Sequence, residues 1–521
     1  MLRGILTVGG WTMGSRLLGF ARDVLIAALL GAGPVADAFF VANRLPNLFR
    51  RLFGEGAFNA AFVPAFTGLL ESEGHEAAQK FAEQAAAVMA FWLLGLTLLA
   101  ELFMPYLMAV LAPGFEAIPE KFQLAVTLSR ITFPYMPLIC LTALLSGVLN
   151  GLDKFAAAAA APLVYNIVSI GFMLGLLHVL PTAGHALAYG VSVSGVFQLG
   201  LVAWAVQRAG YRLHLPRPRL TPEMRVLLRR MGPGLLGAGV TQLNLSVDVI
   251  IGSLLPPGTV AVLYYADRIN QLPLGTIGAA VGTALLPTLS RQVMGRRPWD
   301  AIDTLNRAIE YALVLTLPAA LALIVSREPI ISVLFGRGAF DATAVFKSSQ
   351  ALAAYAIGLP AFVLVKVLIP GFFARGDTST PVKIGMASIA LNLTLNLLFM
   401  VPLQHMGPAL ASSIAAWANV AGLAWVLHKR RQFIVDHELN SRAARMLGAS
   451  VTMALVLLGL QSTLFAALDG HGQVLRGIGL AILVGGGMAA YGVAGQAFGA
   501  FDLKQILSRL RRRRGRARAE G

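Results

Sequence analysis

The chain has 521 residues, of which 57% are hydrophobic and 13% charged, with a formal net charge of +17 at pH 7 and a mean hydropathy of +0.71. That balance excludes a water-soluble globule and a disordered chain, and it leaves an integral membrane protein with little length to spare for a soluble domain. The single cysteine, Cys140, excludes an internal disulfide and a cysteine metal cluster; its default is a packed thiol.

Apolar runs begin near residues 5, 36, 84, 124, 158, 185, 232, 258, 308, 348, 382, 407, 446 and 474. Most are long enough to cross ~30 Å of hydrocarbon with some tilt, so the expected fold class is an all-α polytopic membrane protein with about 14 transmembrane helices. The first run carries Arg16, Arg22 and Asp23 and lacks a convincing cleavage site, so it is expected to be retained as the first span. Arg16 and Asp23, seven apart, share a face that Gly9, Thr12 and Gly19 widen into a polar wall. Arg22 and Asp23 belong either to that wall or to a satisfied ion pair with the second span.

The second run, ADAFFVANRLPNLFRRLFGEGAFNAAFVPAF, carries Asp37, Arg44, Arg51 and Glu55. On an unbroken α-helix, steps of seven, seven and four residues hold these groups within roughly 40° of one line. Charge at membrane depth is costly unless it lines water, pairs or meets a ligand, so the stripe marks a polar route through an apolar protein. Two members have a second reading. Asp37 follows GAGPVA and suits an N-cap of its own helix, and Arg51 and Glu55, at i and i+4, suit a local pair near the interface.

In the second half, VLYYADRINQLPLGTIGAAVGTALLP places Asp267 and Arg268 inside an apolar run, and Lys366 is a lone cation in AFVLVKVLIPGF. Arginine matters here because its planar fork binds phosphate oxygens bidentately and keeps its charge when desolvated. Arg16, Arg22, Arg51 and Arg268 would suit a phosphate or pyrophosphate, with Asp23, Asp37 and Glu55 as acidic partners. Asp248, with Asn392, Thr394 and Asn396, supplies oxygens for a candidate cation site, or else polar packing between helices.

Basic residues crowd alternate loops: Arg208, Arg212, Arg217, Arg219, Arg225, Arg229 and Arg230, then Arg291, Arg296 and Arg297, then Lys429, Arg430 and Arg431, then the tail RLRRRRGRARAEG. That side, with both termini, is expected to be cytoplasmic. The tail is explained by topology and anionic lipid, so no nucleic-acid partner is expected. Opposite loops such as LLPPGTV and VPLQHMGPA carry no Lys or Arg, whereas REPIISVLFGRGAFDAT breaks the pattern.

Two weakly similar halves meet at the Pro- and Arg-rich connector RLHLPRPRLTPEMR. LLSGVLNGLDKFAAAAAAPLVYNIVSI echoes VLIPGFFARGDTSTPVKIGMASIALNLTL, and RLPNLF echoes QLPLGT. This supports a pseudo-symmetric pair of lobes of about six helices each, residues 1–215 and 216–435, then two extra helices at 436–500 and a basic tail at 501–521. Two facing bundles are the usual architecture of alternating access. Prolines such as Pro46, Pro64, Pro287 and Pro370 supply either kinks for that motion or static packing. P-loop, G-x-S-x-G and H-E-x-x-H motifs are absent, so no enzyme is expected; with no ATP site, Na⁺ or proton coupling or the membrane potential would supply energy.

The blocks SRLLGFARDVLIAALLGAG, ADAFFVANRLPNLFRRLFGEGAFNAAFVPAF, LAPGF, RITFPYMPLI, MGPGLLG, YYADRINQLPLGTIGAAVGTALLP and LVKVLIPGFFARGDTSTPVKIG together extend over most of the first twelve predicted spans. In them the chain resembles the MurJ/MviN family of lipid II flippases, within the superfamily of multidrug and polysaccharide exporters. The resemblance implies a bacterial inner-membrane protein with 14 helices that moves lipid II, the undecaprenyl-pyrophosphate-linked glycopeptide, between leaflets for peptidoglycan synthesis. It further implies that Arg16, Arg22, Arg51 and Arg268 form the cationic cavity, with Asp23, Asp37 and Glu55 beside them, that residues 446–497 accommodate the lipid tail, and that cell-wall synthesis proteins are partners. Gln271 departs from the pattern, standing where many relatives carry an acid. A drug or cation antiporter of the same fold, which should have an acid-dominated cavity, a polysaccharide-lipid exporter and a nonenzymatic wall-synthesis scaffold are the alternatives.

Overall fold

The computed structural model describes residues 2–51, 57–211, 214–468 and 472–501. Among them every regular element is helical, and the contacts divide the chain into two units, Met1–Ala261 with Arg337–Asp341, and Val262–Gly336 with Ala342–Gly521.

The first unit holds α1 (Leu2–Leu30), α2 (Pro34–Ala42), α3 (Arg44–Phe49), α4 (Ala57–Ser72), α5 (His75–Leu102), α6 (Met104–Leu111), α7 (Pro119–Thr132), α8 (Tyr135–Gly151), α9 (Ala156–Gly175), α10 (Ala183–Arg208) and α11 (Pro222–Ser253). The division falls within α12 (Thr259–Met294). The second unit continues with α13 (Pro298–Val325), α14 (Arg327–Phe335), α15 (Ala342–Phe373), α16 (Ser379–Phe399), α17 (Gly407–Lys429), α18 (His437–Leu468) and α19 (Gln473–Ala497). Among the described residues ten segments are long and apolar enough to cross a membrane, with α7 and α8 counted as one. Helices α1, α11 and α12 are of spanning length but outside that set, and they are the ones that carry Arg16, Arg22 and Asp23, then Asp248, then Asp267 and Arg268.

Helix ends follow local chemistry. The Thr182 hydroxyl accepts the His185 N–H at the start of α10, and Thr221 accepts that of Met224 ahead of Pro222 at the start of α11. Phe58, Phe62 and Phe66 recur every four residues and so share one face of α4. Phe62 stacks on Phe58 at 5.0 Å and on Phe81 of α5 at 5.5 Å, and this aromatic column packs with Val148, Leu149, Met224 and Leu227. Each such ring pair contributes about 0.5–1.5 kcal/mol beyond burial. Helix α11, which the sequence places at the opening of the second lobe, packs on α4, α5 and α6 of the first unit.

One expectation needs correction. The charged stripe presumes a single helix from Asp37 to Glu55, but Asn43 separates α2 from α3, and a π turn follows at Arg50 and Arg51. The reason is Pro46, which has no N–H to offer the Ala42 carbonyl one turn back. Thr132 of α7 supplies the missing donor, its hydroxyl lying 3.2 Å from both the Ala42 and Ser129 carbonyls, while the Asn47 amide bonds the Asn43 carbonyl at 2.8 Å. Asp37, Arg44 and Arg51 are therefore not one helical line, and Glu55 lies outside the described residues.

In the second unit α15 packs on α13 and α17, α16 on α17, and α18 on α13 and α19. Gly358 lets α17 close on α15: a Cβ there would meet Ser413 Oγ at 2.6 Å, and that hydroxyl donates to the Ala354 carbonyl at 2.6 Å. Between α13, α14, α18 and α19 runs an apolar cavity of about 350 Å³, lined by residues including Pro318, Ile330, Met453, Leu457 and Leu483. Arg307 pairs with Glu310, Asp436 and Glu438, and Arg442 with Glu310 and Glu438, tying α13 to α18.

Candidate functional site

In the first unit the polar side of α1 lies against α9. The Asn166 amide donates to the Ser15 carbonyl at 3.0 Å, and Gly14 leaves room for Leu163. About two turns further on, Arg22 bonds the fully buried carboxylate of Asp23 at 3.0 Å and lies 5.0 Å from the centre of the Tyr165 ring. Tyr165 packs on Tyr135, whose hydroxyl donates to Gln198, and the Gln198 amide donates to the Ala161 carbonyl. Helices α1, α8, α9 and α10 thus hold one guanidinium between a carboxylate and an aromatic face. Arg50, which sequence reasoning misses, donates from its Nε to the Asn47 side-chain oxygen at 3.2 Å.

The other predicted residues are distributed as follows. Arg16 is exposed on α1, and Arg51 is exposed in the π turn. Asp267 and Arg268 are half-buried on α12 in the second unit, where the Gln271 amide donates to Asp267 at 3.2 Å. A neutral amide thus meets the carboxylate where an acid would repel it.

Asp37 does not cap its own helix; Gly33 occupies that position without a side-chain bond. Its carboxylate accepts instead the N–H groups of Gly258 at 2.6 Å and Ala261 at 2.9 Å, at the start of α12, and the ammonium of Lys121 at 2.6 Å. Lys121, in the first turn of α7, also escapes sequence reasoning, because a lone lysine after Pro119 reads as an interfacial residue. Its only hint is position, since the partner carboxylate is 84 residues away.

Of the candidate cation ligands, Asn392 and Asn396 are buried on one face of α16, with the Asn396 amide bonding the Asn392 side chain at 2.8 Å and its carbonyl at 3.0 Å. Thr394 lies on the exposed side, two residues and so about 200° round from Asn392, and its hydroxyl bonds the Ala390 carbonyl at 2.9 Å. Asp248 belongs to the first unit. Among the described residues no group of three His, Cys, Asp or Glu side chains could hold a metal ion.

The model of the family described as lipid II flippase MurJ matches residues 26–472. A probable lipid II flippase MurJ of Rhizobium tropici is 43% identical over 523 residues, covering 99% of this chain and 97% of the relative. The chain belongs to the lipid II flippase MurJ family. Membership extends well beyond near relatives: the lipid II flippase MurJ of Burkholderia cenocepacia is 35% identical over 463 residues, covering 87% of this chain and 89% of its own. Among solved structures, a lipid II flippase MurJ in an inward closed conformation superposes with a TM-score of 0.77 at 24% identity over 95% of this chain and 98% of its own. An inward-facing multidrug transporter of the MATE family gives 0.67 at 17% identity over 82% and 98%. At these identities the two structures speak for the fold, which the flippase and the exporters share.

Proposed function

We propose that this protein is a flippase for lipid II, carrying the undecaprenyl-pyrophosphate-linked glycopeptide from the cytoplasmic to the periplasmic leaflet of the bacterial inner membrane. The observation that carries the reading is Arg22, a guanidinium within a helix of spanning length, held against Asp23 and Tyr165 in a chain that belongs to the lipid II flippase family. A pyrophosphate cannot cross ~30 Å of hydrocarbon unaided, whereas a polyprenyl tail stays in lipid while its head passes through a cationic, wetted route. Arg16, Arg51 and Arg268 would complete that route in this reading, with Asp23 and Glu55 as its acids, while the Asp37 carboxylate is taken up by Lys121 and the start of α12. The tail would lie in the apolar cavity beside α18 and α19.

The lobes 1–215 and 216–435 would alternate access by rocking, with both termini cytoplasmic. No bond in the cargo is made or broken, so the protein acts as a transporter and not an enzyme. Its drive is a sodium gradient, a proton gradient or the membrane potential, with Asp248, Asn392, Thr394 and Asn396 the residues to test, and wall-synthesis proteins are its expected neighbours. Depletion of the protein should leave lipid II in the cytoplasmic leaflet, read as loss of its exposure to an impermeant probe at the outer face. Unchanged exposure after depletion would overturn the proposal. Asp248→Ala transport that still responds to sodium removal or to collapse of the proton gradient would remove Asp248 from coupling.

A further inference from the structure

We infer that Lys121 is a positioning residue of the transport cycle: with Asp37 it forms a buried ionic latch that holds the first turn of α12 to the α1–α2 corner, and the cycle opens this latch. The inference rests on the transporter reading above. Both side chains are almost wholly buried, and the ammonium lies 2.6 Å from the carboxylate oxygen that also accepts the Gly258 N–H. The backbone around them is drawn tight. A Cβ on Gly258, at φ +92°, would come within 2.2 Å of the Ala32 carbonyl oxygen, and the Ala339 N–H bonds the Ala28 carbonyl at 2.8 Å. Residues 28–37, 258–261 and 337–341, remote in sequence, are tied together at this place, on the face that the proposed orientation makes periplasmic.

A buried ion pair is nearly neutral in free energy, because desolvating two charges offsets their attraction, yet removal of one partner is strongly unfavourable. Such a pair closes firmly while complete and opens readily once water reaches both charges. The two charges are not equivalent. Without Lys121, the Asp37 carboxylate still faces the N-terminus of α12, which favours an anion; without the Asp37 charge, the Lys121 ammonium faces that N-terminus with the Phe115 ring, 3.9 Å away, as its neighbour. Asp37→Asn should therefore open the latch further than Lys121→Met does, and the neutral double variant should close it again. A purely steric role predicts no such order.

The test uses the full chain in membranes, with Val260→Cys, a buried position in the latched turn, as reporter in a Cys140→Ala background. A water-soluble maleimide reads its accessibility. A parallel set keeps Cys140, buried in α8, as the one thiol and so reports unfolding. The reporter should react slowly by itself, about tenfold faster with Asp37→Asn, by a smaller factor with Lys121→Met, and slowly again in the double variant, with Cys140 unreactive throughout. Lipid II exposure should fall in both single variants and stay low in the double, whose neutral pair closes but gains little from hydration. Equal labelling in all variants, additive acceleration in the double, or acceleration that appears only together with Cys140 would overturn the latch. The expected labelling order in a protein whose unsubstituted form does not flip lipid II would leave the latch standing and remove the transporter reading.

Discussion

The guanidinium of Arg22 lies 5.0 Å from the centre of the Tyr165 ring while bonding Asp23, so an aromatic face on α9 sets the direction in which an α1 cation points. A desolvated cation–π contact contributes about 2 kcal/mol. Tyr165→Leu should therefore weaken lipid II binding roughly tenfold or more. Tyr165→Phe, which keeps the ring, should bind nearly as the parent does. Binding to the purified protein checks both, and equal loss in the two variants would assign the effect to the hydroxyl and not to the ring.

For the phosphate clamp, charge and geometry can be separated. Arg16→Lys and Arg268→Lys should each retain part of the flipping activity, because a point charge survives while the bidentate fork is lost. Arg16→Ala and Arg268→Ala should abolish it. Complementation of a depleted strain reads the difference, and activity at the parental level in all four variants would remove the clamp.

Thr132 provides a stability test of the α2–α3 break. Thr132→Val keeps the shape of the side chain but takes the donor away from the Ala42 carbonyl, which Pro46 has already left short of its helical partner. The expected cost is about 1 kcal/mol, seen as a lowered unfolding midpoint in detergent. A midpoint identical to the parent's would show that another donor reaches that carbonyl.

Asp377 sits in the loop between α15 and α16, where bonds from Arg430, the residue that follows α17, at 2.6 Å, and from the Thr380 N–H, at 3.0 Å, hold its carboxyl well below the ordinary carboxylate range. A depressed acid contributes stability above its unfolded value and loses that contribution as pH falls towards its folded value. Stability tied to this loop should thus be flat between about pH 7 and 5 and decline only below about pH 4. Asp377→Asn should be less stable at neutral pH and should lack that part of the acid decline. Parallel curves for the two proteins would refute the contribution.

Much of this protein was legible from its residues alone. Hydropathy runs identify a helical membrane protein because a bilayer admits few other ways to satisfy the backbone, and a guanidinium at depth declares itself whatever the packing. Arg22 with Asp23 was visible as neighbours in sequence. Pro46 was visible too, but its effect on the charged stripe was not, since a helix can run through a proline when another element supplies the donor or break there when the packing favours it. The Thr132 hydroxyl meets the Ala42 carbonyl across the break.

Composition and local order thus determined that the chain lies in a membrane, that it is helical and where its intramembrane charges fall, because those follow from transfer free energies and from spacing within single helices. Which partner each charge takes was decided by tertiary structure. Asp37 meets Lys121 from 84 residues away and the first turn of α12 from still further; Arg22 meets Tyr165; and Thr394 turns away from Asn392 and Asn396. A pairing across helices depends on how whole helices pack and end, and no local pattern encodes that.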